Sequence, residues 1–237
     1  MNAGSPVRPV DAAGLILLRG RPDKPEILLG RRHAKTAFLP DIYVVPGGRV
    51  DPEDHLPSGF RERLHPVVAE ALRTGSERRP PIAFLRAALR ELHEETGLIL
   101  GGRGVGKSAA RPVWQAYMQA GIAPDFGAYD FLLRAITPTG SRRRYNTRFF
   151  LGNGGDAIGD LKGDGELLDL RWRKVTELDR LNIVDVTWAL IRLALARWQS
   201  QIRVGAGQPN LLVYRNNSLV LRPLGEPRHR SRPTPRA

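Results

Sequence analysis

The stretch PPIAFLRAALRELHEETGL, residues 80–98, carries the strongest pattern in the chain and guides the interpretation of the rest. Its two prolines suit the first turn of a helix, and Gly97 suits a helix end. Apolar side chains recur at helical spacing, at Ile82, Leu85, Ala88, Leu89 and Leu92. We therefore predict a helix over residues 82–96 that packs one face into a core.

Three carboxylates, Glu91, Glu94 and Glu95, share one face of this predicted helix. Like charges three or four residues apart destabilise a helix by about 0.2–0.5 kcal/mol per pair. Carboxylates in the last turns also meet the negative end of the helix dipole, at about 0.3–1 kcal/mol each. A cluster that local energetics disfavours indicates a function, and carboxylate oxygens favour Mg²⁺ or Mn²⁺. The alternative is a solvated acidic face, paired with Arg86 and Arg90.

Two segments together resemble the signature of the Nudix hydrolases: PGGRVDPED, residues 46–54, and RELHEETGL, residues 90–98. The family pattern is a glycine, five residues, a glutamate, seven residues and then REUxEExGU, where U is apolar. The second half matches at every specified position, Gly48 fits the first half, and Asp54 stands at the place of the first glutamate. The spacer, residues 55–89, has 35 residues where the family has seven, an insertion of 28 residues. Such an insertion resembles the branch of the coenzyme A diphosphatases.

The resemblance implies hydrolysis of the pyrophosphate bond in a nucleoside diphosphate linked to another moiety. Coenzyme A-like compounds, nucleotide sugars and dinucleotides are the expected substrates. Mg²⁺ or Mn²⁺ is the implied cofactor, because metal ions clamp diphosphate oxygens and activate water. Carried over position by position, the primary metal ligands are Glu91 and Glu95, and the carbonyl of Gly48 can add an oxygen. Glu94 is either an additional metal ligand or the catalytic base. The other implied catalytic residues are Arg90, which orients the carboxylates, and Glu166 as a further carboxylate.

Candidates for binding the substrate phosphates are three arginines on predicted strands, Arg32, Arg134 and Arg148. Each could equally be a structural surface arginine. Asp51 and Asp54 could assist through a bound water. The partner implied by the resemblance is a small diphosphate compound rather than a nucleic acid, and homodimers are common in such proteins.

Strands and helices mix along the chain without a regular rhythm, which favours an α/β class. Strands are predicted at residues 12–19, 26–32, 41–45, 130–137, 147–151 and 166–173, with a hairpin over 211–221 that turns at Asn216 and Asn217. Further helices are predicted near Pro66 and over residues 184–199. We predict a Nudix-type α/β/α sandwich with a mixed central sheet and a helical insertion. The predicted limits are a flexible arm over residues 1–11, one domain over 12–221 with the insertion at 55–81, and a disordered basic tail over 222–237.

Composition excludes several classes of protein. The 237 residues include no cysteine, so disulfides, thiol nucleophiles and zinc ribbons are excluded. No apolar run approaches the ~20 residues of a membrane span, and we expect a cytoplasmic protein with no membrane association. The net charge is +13, but 32 of the 37 basic residues are arginines spread along the chain. This charge is consistent with a generally arginine-rich composition or with the attraction of anionic ligands. It does not identify the binding partner.

Two other functions are open at the level of sequence. The first is a non-catalytic regulator that binds a nucleotide or RNA through its basic surface, although such a protein needs no repulsive carboxylate cluster. The second is a P-loop nucleotide-binding protein, because GGRGVGKS, residues 101–108, satisfies that pattern literally. A P-loop must run directly into a helix, and Pro112 interrupts that path. We therefore interpret this segment as a flexible glycine loop.

Overall fold

The computed structural model describes residues 7–36, 38–74, 79–107, 111–215 and 218–226. These residues form four helices and thirteen strands. The helices are α1 (Pro66–Arg73), α2 (Pro81–Thr96), α3 (Pro112–Gln119) and α4 (Asp185–Gln199). The strands are β1 (Val10–Arg21), β2 (Lys24–Arg32), β3 (Tyr43–Val44), β4 (Gly47–Arg49), β5 (Ile99–Leu100), β6 (Gly102–Arg103), β7 (Ile122–Ala123), β8 (Asp130–Ile136), β9 (Tyr145–Asn153), β10 (Ala157–Ile158), β11 (Leu167–Lys174), β12 (Asn210–Arg215) and β13 (Ser218–Pro223).

Nine of these strands form one mixed sheet. Its order is β11-β2-β1-β9-β8-β12-β13, with β3 beside β2 and β4 beside β1. β1 is parallel to β9 and β12 is parallel to β8, while the other pairs in this sheet are antiparallel. Two short pairs, β5 with β10 and β6 with β7, lie outside it. The predicted mixed sheet is confirmed.

Strand β1 lies between two hydrophobic cores and contributes side chains to both. Leu15 and Leu17 belong to the core under α2, whereas Ile16 and Leu18 belong to the core under α4. This division follows from the alternation of side chains along a strand. Because both faces of β1 are covered by helices, its central residues 12–18, AAGLILL, carry no polar side chain. The α/β/α sandwich is thereby confirmed.

Helix α2 matches the prediction closely. It begins at Pro81 and ends at Thr96. Gly97 then takes a left-handed conformation, with φ of 73°, and its N–H donates to the carbonyl of His93. Glycine adopts this conformation without strain, so the helix stops two residues after Glu94.

The insertion contains one helix within its described residues, as predicted near Pro66. Val68 and Leu72 of α1 are buried in the core under α2. The insertion is also held by an ion pair, in which Arg86 of α2 donates from Nε to Glu62 Oε1 over 2.7 Å. The same arginine donates from Nη1 to the carbonyl of Asp54 over 3.0 Å.

The two ends of the insertion lie together. Arg79, near its end, contacts the ring of His55, near its start. Arg79 also donates from Nε to Asp11 Oδ2 of β1 over 2.8 Å. The first and last residues of the insertion therefore lie close to each other, and the end of the insertion is attached to β1.

Some predicted limits differ from the observed ones. β1 begins at Val10 and β13 continues to Pro223, so Val10, Asp11 and Arg222 belong to strands rather than to the predicted arm and tail. Backbone pairing with β9 and β12 extends these strands. Most of the predicted arm and tail, and the hairpin turn at residues 216–217, lie outside the described residues. No helix was predicted for the segment that forms α3.

The glycine loop does not have the geometry of a P-loop. Its two-residue strand β6 pairs with β7, and the N–H of Lys107 donates to the carbonyl of Gly59 over 2.8 Å. α3 begins only at Pro112, and Ser108 lies outside the described residues. Along the described parts of the chain, every helix is too short or too polar to cross a lipid bilayer.

Candidate active site

The glycine turn and the acidic helix meet at β4. Gly47 and Gly48 of β4 pair with Gly14 and Ala13 of β1, which places the turn under α2. A Cβ atom added at Gly48 would lie 2.3 Å from Glu91 Oε1, well inside contact distance. Any side chain at position 48 would therefore displace this carboxylate. The prediction that Gly48 lies beside the helical glutamates agrees with this geometry.

Glu95 is held against the same turn. The N–H of Gly47 donates to Glu95 Oε2 over 2.8 Å, and only 4% of Glu95 is exposed. Burial raises the pKa of Glu95 well above its usual value, against the opposing effect of the Gly47 hydrogen bond. The negative charges of Glu91, Glu166 and Asp164 raise it further. An additional positive charge here would offset this repulsion.

Glu91 is in a similar environment. Burial raises the pKa of Glu91 to about 6, although the positive charge of Arg90 acts in the opposite direction. The charges of Glu94 and Asp51 add to the increase. One buried and one partly buried carboxylate, both with raised pKa values and both beside one turn, are typical of a functional site rather than of a solvated helix face. The solvated alternative from the sequence therefore applies only to the more exposed Glu94.

Arg90 holds the carboxylates in place. Its Nη1 donates to Glu91 Oε1 over 2.8 Å and to Glu94 Oε2 over 2.7 Å. Its Nη2 donates to the carbonyl of Arg49 over 2.8 Å. Only 3% of Arg90 is exposed, so its whole guanidinium is used inside the protein. Arg90 therefore fixes the positions of Glu91 and Glu94, and its role in a reaction stays a prediction.

Asp54 serves as an anchor for Arg90. Arg90 Nε donates to Asp54 Oδ1 over 3.1 Å, and Arg90 Nη2 donates to Oδ2 over 3.0 Å. The backbone N–H of Asp51 donates to Asp54 Oδ2 over 2.8 Å. The Asp54 side chain is 1% exposed, which leaves it little room to hold a water for the reaction, whereas that of Asp51 is 41% exposed. Of the two aspartates, only Asp51 remains accessible for that predicted role.

The predicted outer carboxylate, Glu166, is exposed and directly precedes β11. It influences the pKa of Glu95, as does Asp164 in the same loop. This loop is attached to the end of α2, because the N–H of Lys162 donates to the carbonyl of Thr96 over 2.9 Å. The structure therefore brings Glu166 to the same side of the molecule as the helical glutamates.

Of the three predicted phosphate-binding arginines, Arg32 is the one whose backbone lies beside the segment of Glu166, and its role stays a prediction. It ends β2 and pairs with Leu167, the residue after Glu166. Leu28, four residues earlier on the same face, lies in the core under α2. The buried Nε of Arg32 has no hydrogen-bond partner among the described residues.

The other two arginines have structural roles. Arg148 is fully buried, stacks 4.0 Å above the ring of Phe84 in α2 and donates to Asp11 Oδ1 over 2.7 Å. Burial lowers the pKa of Arg148 to about 10, and the charge of Arg134 contributes. Arg134 donates from Nε to the side chain of Asn146 over 2.9 Å. A fully buried guanidinium offers no surface to a substrate, so the structure does not support that role for Arg148.

The carboxylates of Glu91, Glu94 and Glu95 do not form a complete set of metal ligands by themselves. Across the described segments, no three acidic or imidazole side chains gather into a ready-made cation site. Arg90 holds Glu91 and Glu94, while the Gly47 amide holds Glu95. Glu91 and Glu95 nevertheless suit a hard cation, since both supply oxygen atoms beside a glycine that leaves space for them.

Two residues outside the two motifs, Glu62 and Arg111, support this arrangement. Neither was predicted to have a role in it. Glu62 binds Arg86, and Arg111 binds Asp54 Oδ1 over 2.9 Å. Both contacts join residues 24 or more positions apart, so no local sequence pattern predicts them. A cavity of about 380 Å³ lies elsewhere, and its lining, Arg61, Arg63, Leu64, His65, Pro66, Asp125 and Gly127, contains no predicted site residue.

The order of the sheet, the helix α2 and the turn that precedes it together define a Nudix fold. The chain is similar to the solved structure of a Nudix hydrolase from Alicyclobacillus acidocaldarius, with 25% identity and a TM-score of 0.64. That alignment covers 86% of this chain and 100% of the other. The sequence itself matches no family model and no curated protein.

Two further solved structures are more distant. A MutT Nudix hydrolase from Burkholderia pseudomallei is 18% identical with a TM-score of 0.45, over 80% of this chain and 98% of the other. An Ap4A hydrolase from C. elegans is 16% identical with a TM-score of 0.43, over 81% and 99%. The likeness to the Alicyclobacillus structure shows the fold, and the resemblance to the coenzyme A diphosphatase branch stays a prediction.

Proposed function

We propose that the chain is a divalent-metal-dependent hydrolase that cleaves the pyrophosphate bond of nucleoside diphosphate derivatives. The observation that carries this proposal is the position of the Glu91 carboxylate, which fills the space that a Cβ at Gly48 would need, while Glu95 accepts from the neighbouring Gly47 N–H. The Nudix fold, shared with a hydrolase over the whole length of that protein, supports it. Coenzyme A-like compounds, nucleotide sugars and dinucleotides are the proposed substrates.

Glu91, Glu95, Glu94 and the carbonyl of Gly48 are the proposed ligands of Mg²⁺ or Mn²⁺, with Glu166 as an outer carboxylate. When bound, the metal neutralises the diphosphate and activates water. The raised pKa values of Glu91 and Glu95 support this choice, because a nearby cation stabilises the charged form of a carboxylate.

The protein's own side chains orient the reaction. Arg90 holds Glu91 and Glu94 so that both stay near the turn. Glu94, whose side chain is 46% exposed, is the proposed base that accepts the proton of the attacking water. The water oxygen bonds to one phosphorus, the bridging P–O bond breaks, and the bridging oxygen leaves with the second phosphate. Arg32 is the proposed phosphate contact, because its Nε has no other partner among the described residues.

The test is product release from a panel of diphosphate compounds, measured with Mg²⁺, with Mn²⁺ and with a chelator. We expect turnover only with metal, and a loss of at least about a hundredfold in kcat for Glu95→Gln and Glu94→Gln. Glu70→Gln is the control, because the Glu70 side chain is 78% exposed on α1 and pairs only with Arg73 among the described residues.

A negative result would separate the alternatives. Tight nucleotide binding without turnover on any compound of the panel, unchanged in Glu95→Gln, would contradict the proposal and favour a non-catalytic regulator. Turnover in the presence of a chelator would contradict the metal dependence alone.

A further inference from the structure

Arg111 connects α3 to the turn that follows the glycine motif. It occupies the N-terminal cap of α3, and 16% of its side chain is exposed. Its Nη1 lies 2.9 Å from Asp54 Oδ1, and its Nε lies 3.1 Å from Glu53 Oε2. Arg111 lies outside residues 46–54 and 90–98, which carry the Nudix resemblance.

The charges around Arg90 are unbalanced without Arg111. Arg90 is one guanidinium that contacts the carboxylates of Asp54, Glu91 and Glu94. Asp54 is 1% exposed at its side chain, and a buried carboxylate destabilises the fold unless it is paired and hydrogen-bonded. Arg111 supplies a second guanidinium to Asp54, so the anchor does not depend on Arg90 alone.

We propose that Arg111 is a positioning residue for the carboxylates of the candidate metal site. Arg90 binds Asp54 through Nε and Nη2, and by fixing Asp54 Arg111 keeps Arg90 in the orientation in which its Nη1 holds Glu91 and Glu94 together. Without Arg111, the attraction of the buried Asp54 carboxylate draws Arg90 away from the two glutamates. The proposal rests on the proposed function, because it takes Glu91 and Glu94 to be metal ligands.

The experiment uses the full-length chain and Mn²⁺ as the probe. Free Mn²⁺ is followed by electron paramagnetic resonance in titrations of the wild type, Arg111→Gln, Arg111→Lys and Arg21→Gln. Arg21 is the matched control, since it makes an exposed ion pair with Asp23 and carries the same charge. Partners that orient metal ligands typically contribute 10–100-fold to metal affinity, so we expect a loss of about tenfold or more in Arg111→Gln.

The other variants refine this expectation. Arg111→Lys keeps the charge but not the planar fork, and its affinity should fall between wild type and Arg111→Gln. Arg21→Gln should stay within about twofold of wild type. With saturating Mn²⁺, Arg111→Gln should lower kcat and leave KM for the diphosphate substrate within about twofold, because the residue does not touch substrate.

Thermal unfolding of each variant shows whether it is folded. A folded Arg111→Gln with wild-type Mn²⁺ affinity would overturn this inference and leave the proposed metal site standing. An equal loss in Arg21→Gln would also overturn it, because net charge would then be the cause. If Arg111→Gln does not fold, Arg111→Lys decides by the same criterion. Absence of Mn²⁺ binding in the wild type would refute the proposed metal site itself, and the role of Arg111 with it.

Discussion

The absence of a side chain at Gly48 leaves room for the carboxylate of Glu91. The carboxylate of Glu91 occupies the space that a Cβ at position 48 would fill. The resemblance to the Nudix pattern implied this proximity despite the longer spacer, because the glycine and the glutamates are specified together in that pattern. It did not predict the partners of Asp54, since Arg111 is 57 residues away and has no place in that pattern.

Gly48→Ala should therefore impair the site with little effect on folding. The added Cβ would lie 2.3 Å from Glu91 Oε1, and the flexible end of that side chain must move. We expect Mn²⁺ affinity to fall about tenfold or more, measured by titration, with a cooperative thermal transition retained. Gly102→Ala is the control, because a Cβ there meets nothing within 4 Å among the described residues. Wild-type affinity in Gly48→Ala would show that Glu91 is not a ligand.

At the scale of elements, helix α2 and the longer strands were predictable because their patterns are local, whereas the strands of two or three residues β4, β5, β6, β7 and β10 were not predicted. The apolar spacing of residues 82–92 and the stop at Gly97 define α2 without any tertiary information. α3 was not predictable in the same way. It is eight residues long, and its burial depends on contacts with the core under α2.

The ion pair between Glu62 and Arg86 attaches the insertion to α2. The two side chains are 13% and 5% exposed, so Glu62→Ala would leave Arg86 buried without its carboxylate. We expect a loss of about 3 kcal/mol in the free energy of unfolding, measured with urea. Glu70→Ala in the exposed pair with Arg73 should cost less than about 1 kcal/mol. Equal effects of the two substitutions would show that the insertion is not held by this pair.

At the scale of the whole molecule, the sandwich was predictable from the mixture of strands and helices, and the comparison with a solved Nudix hydrolase agrees with it. The excess of positive charge was less informative. Several arginines of the described chain, such as Arg86, Arg90 and Arg148, are buried in ion pairs rather than spread over the surface. Each of these pairs also removes a carboxylate from the surface, so the net charge of +13 is unchanged by them and does not by itself identify a partner.

The global stability of the metal-free protein should depend on the ionisation of Glu91. Burial raises its pKa to about 6 in the folded state, from 4.5 in the absence of structure. The folded state thus binds more protons between these values, so the free energy of unfolding falls as pH rises through this range. The shift corresponds to about 2 kcal/mol.

Glu91→Gln removes this dependence. In urea unfolding with a chelator present, the variant should gain about 2 kcal/mol relative to wild type between pH 4 and pH 7. Glu70→Gln should show no such gain, because its side chain is 78% exposed. A difference between Glu91→Gln and wild type that stays constant with pH would contradict the raised pKa.

The contact between Arg79 and His55 bears on how such a chain could diversify. Lengthening a loop from seven to 35 residues costs only about 1.4 kcal/mol of closure entropy, and ends that already touch need no rearrangement of α2. We therefore expect another stretch to be accepted between them if it supplies an acidic partner for Arg86 and apolar side chains in place of Val68 and Leu72, with α2 keeping its place on the sheet.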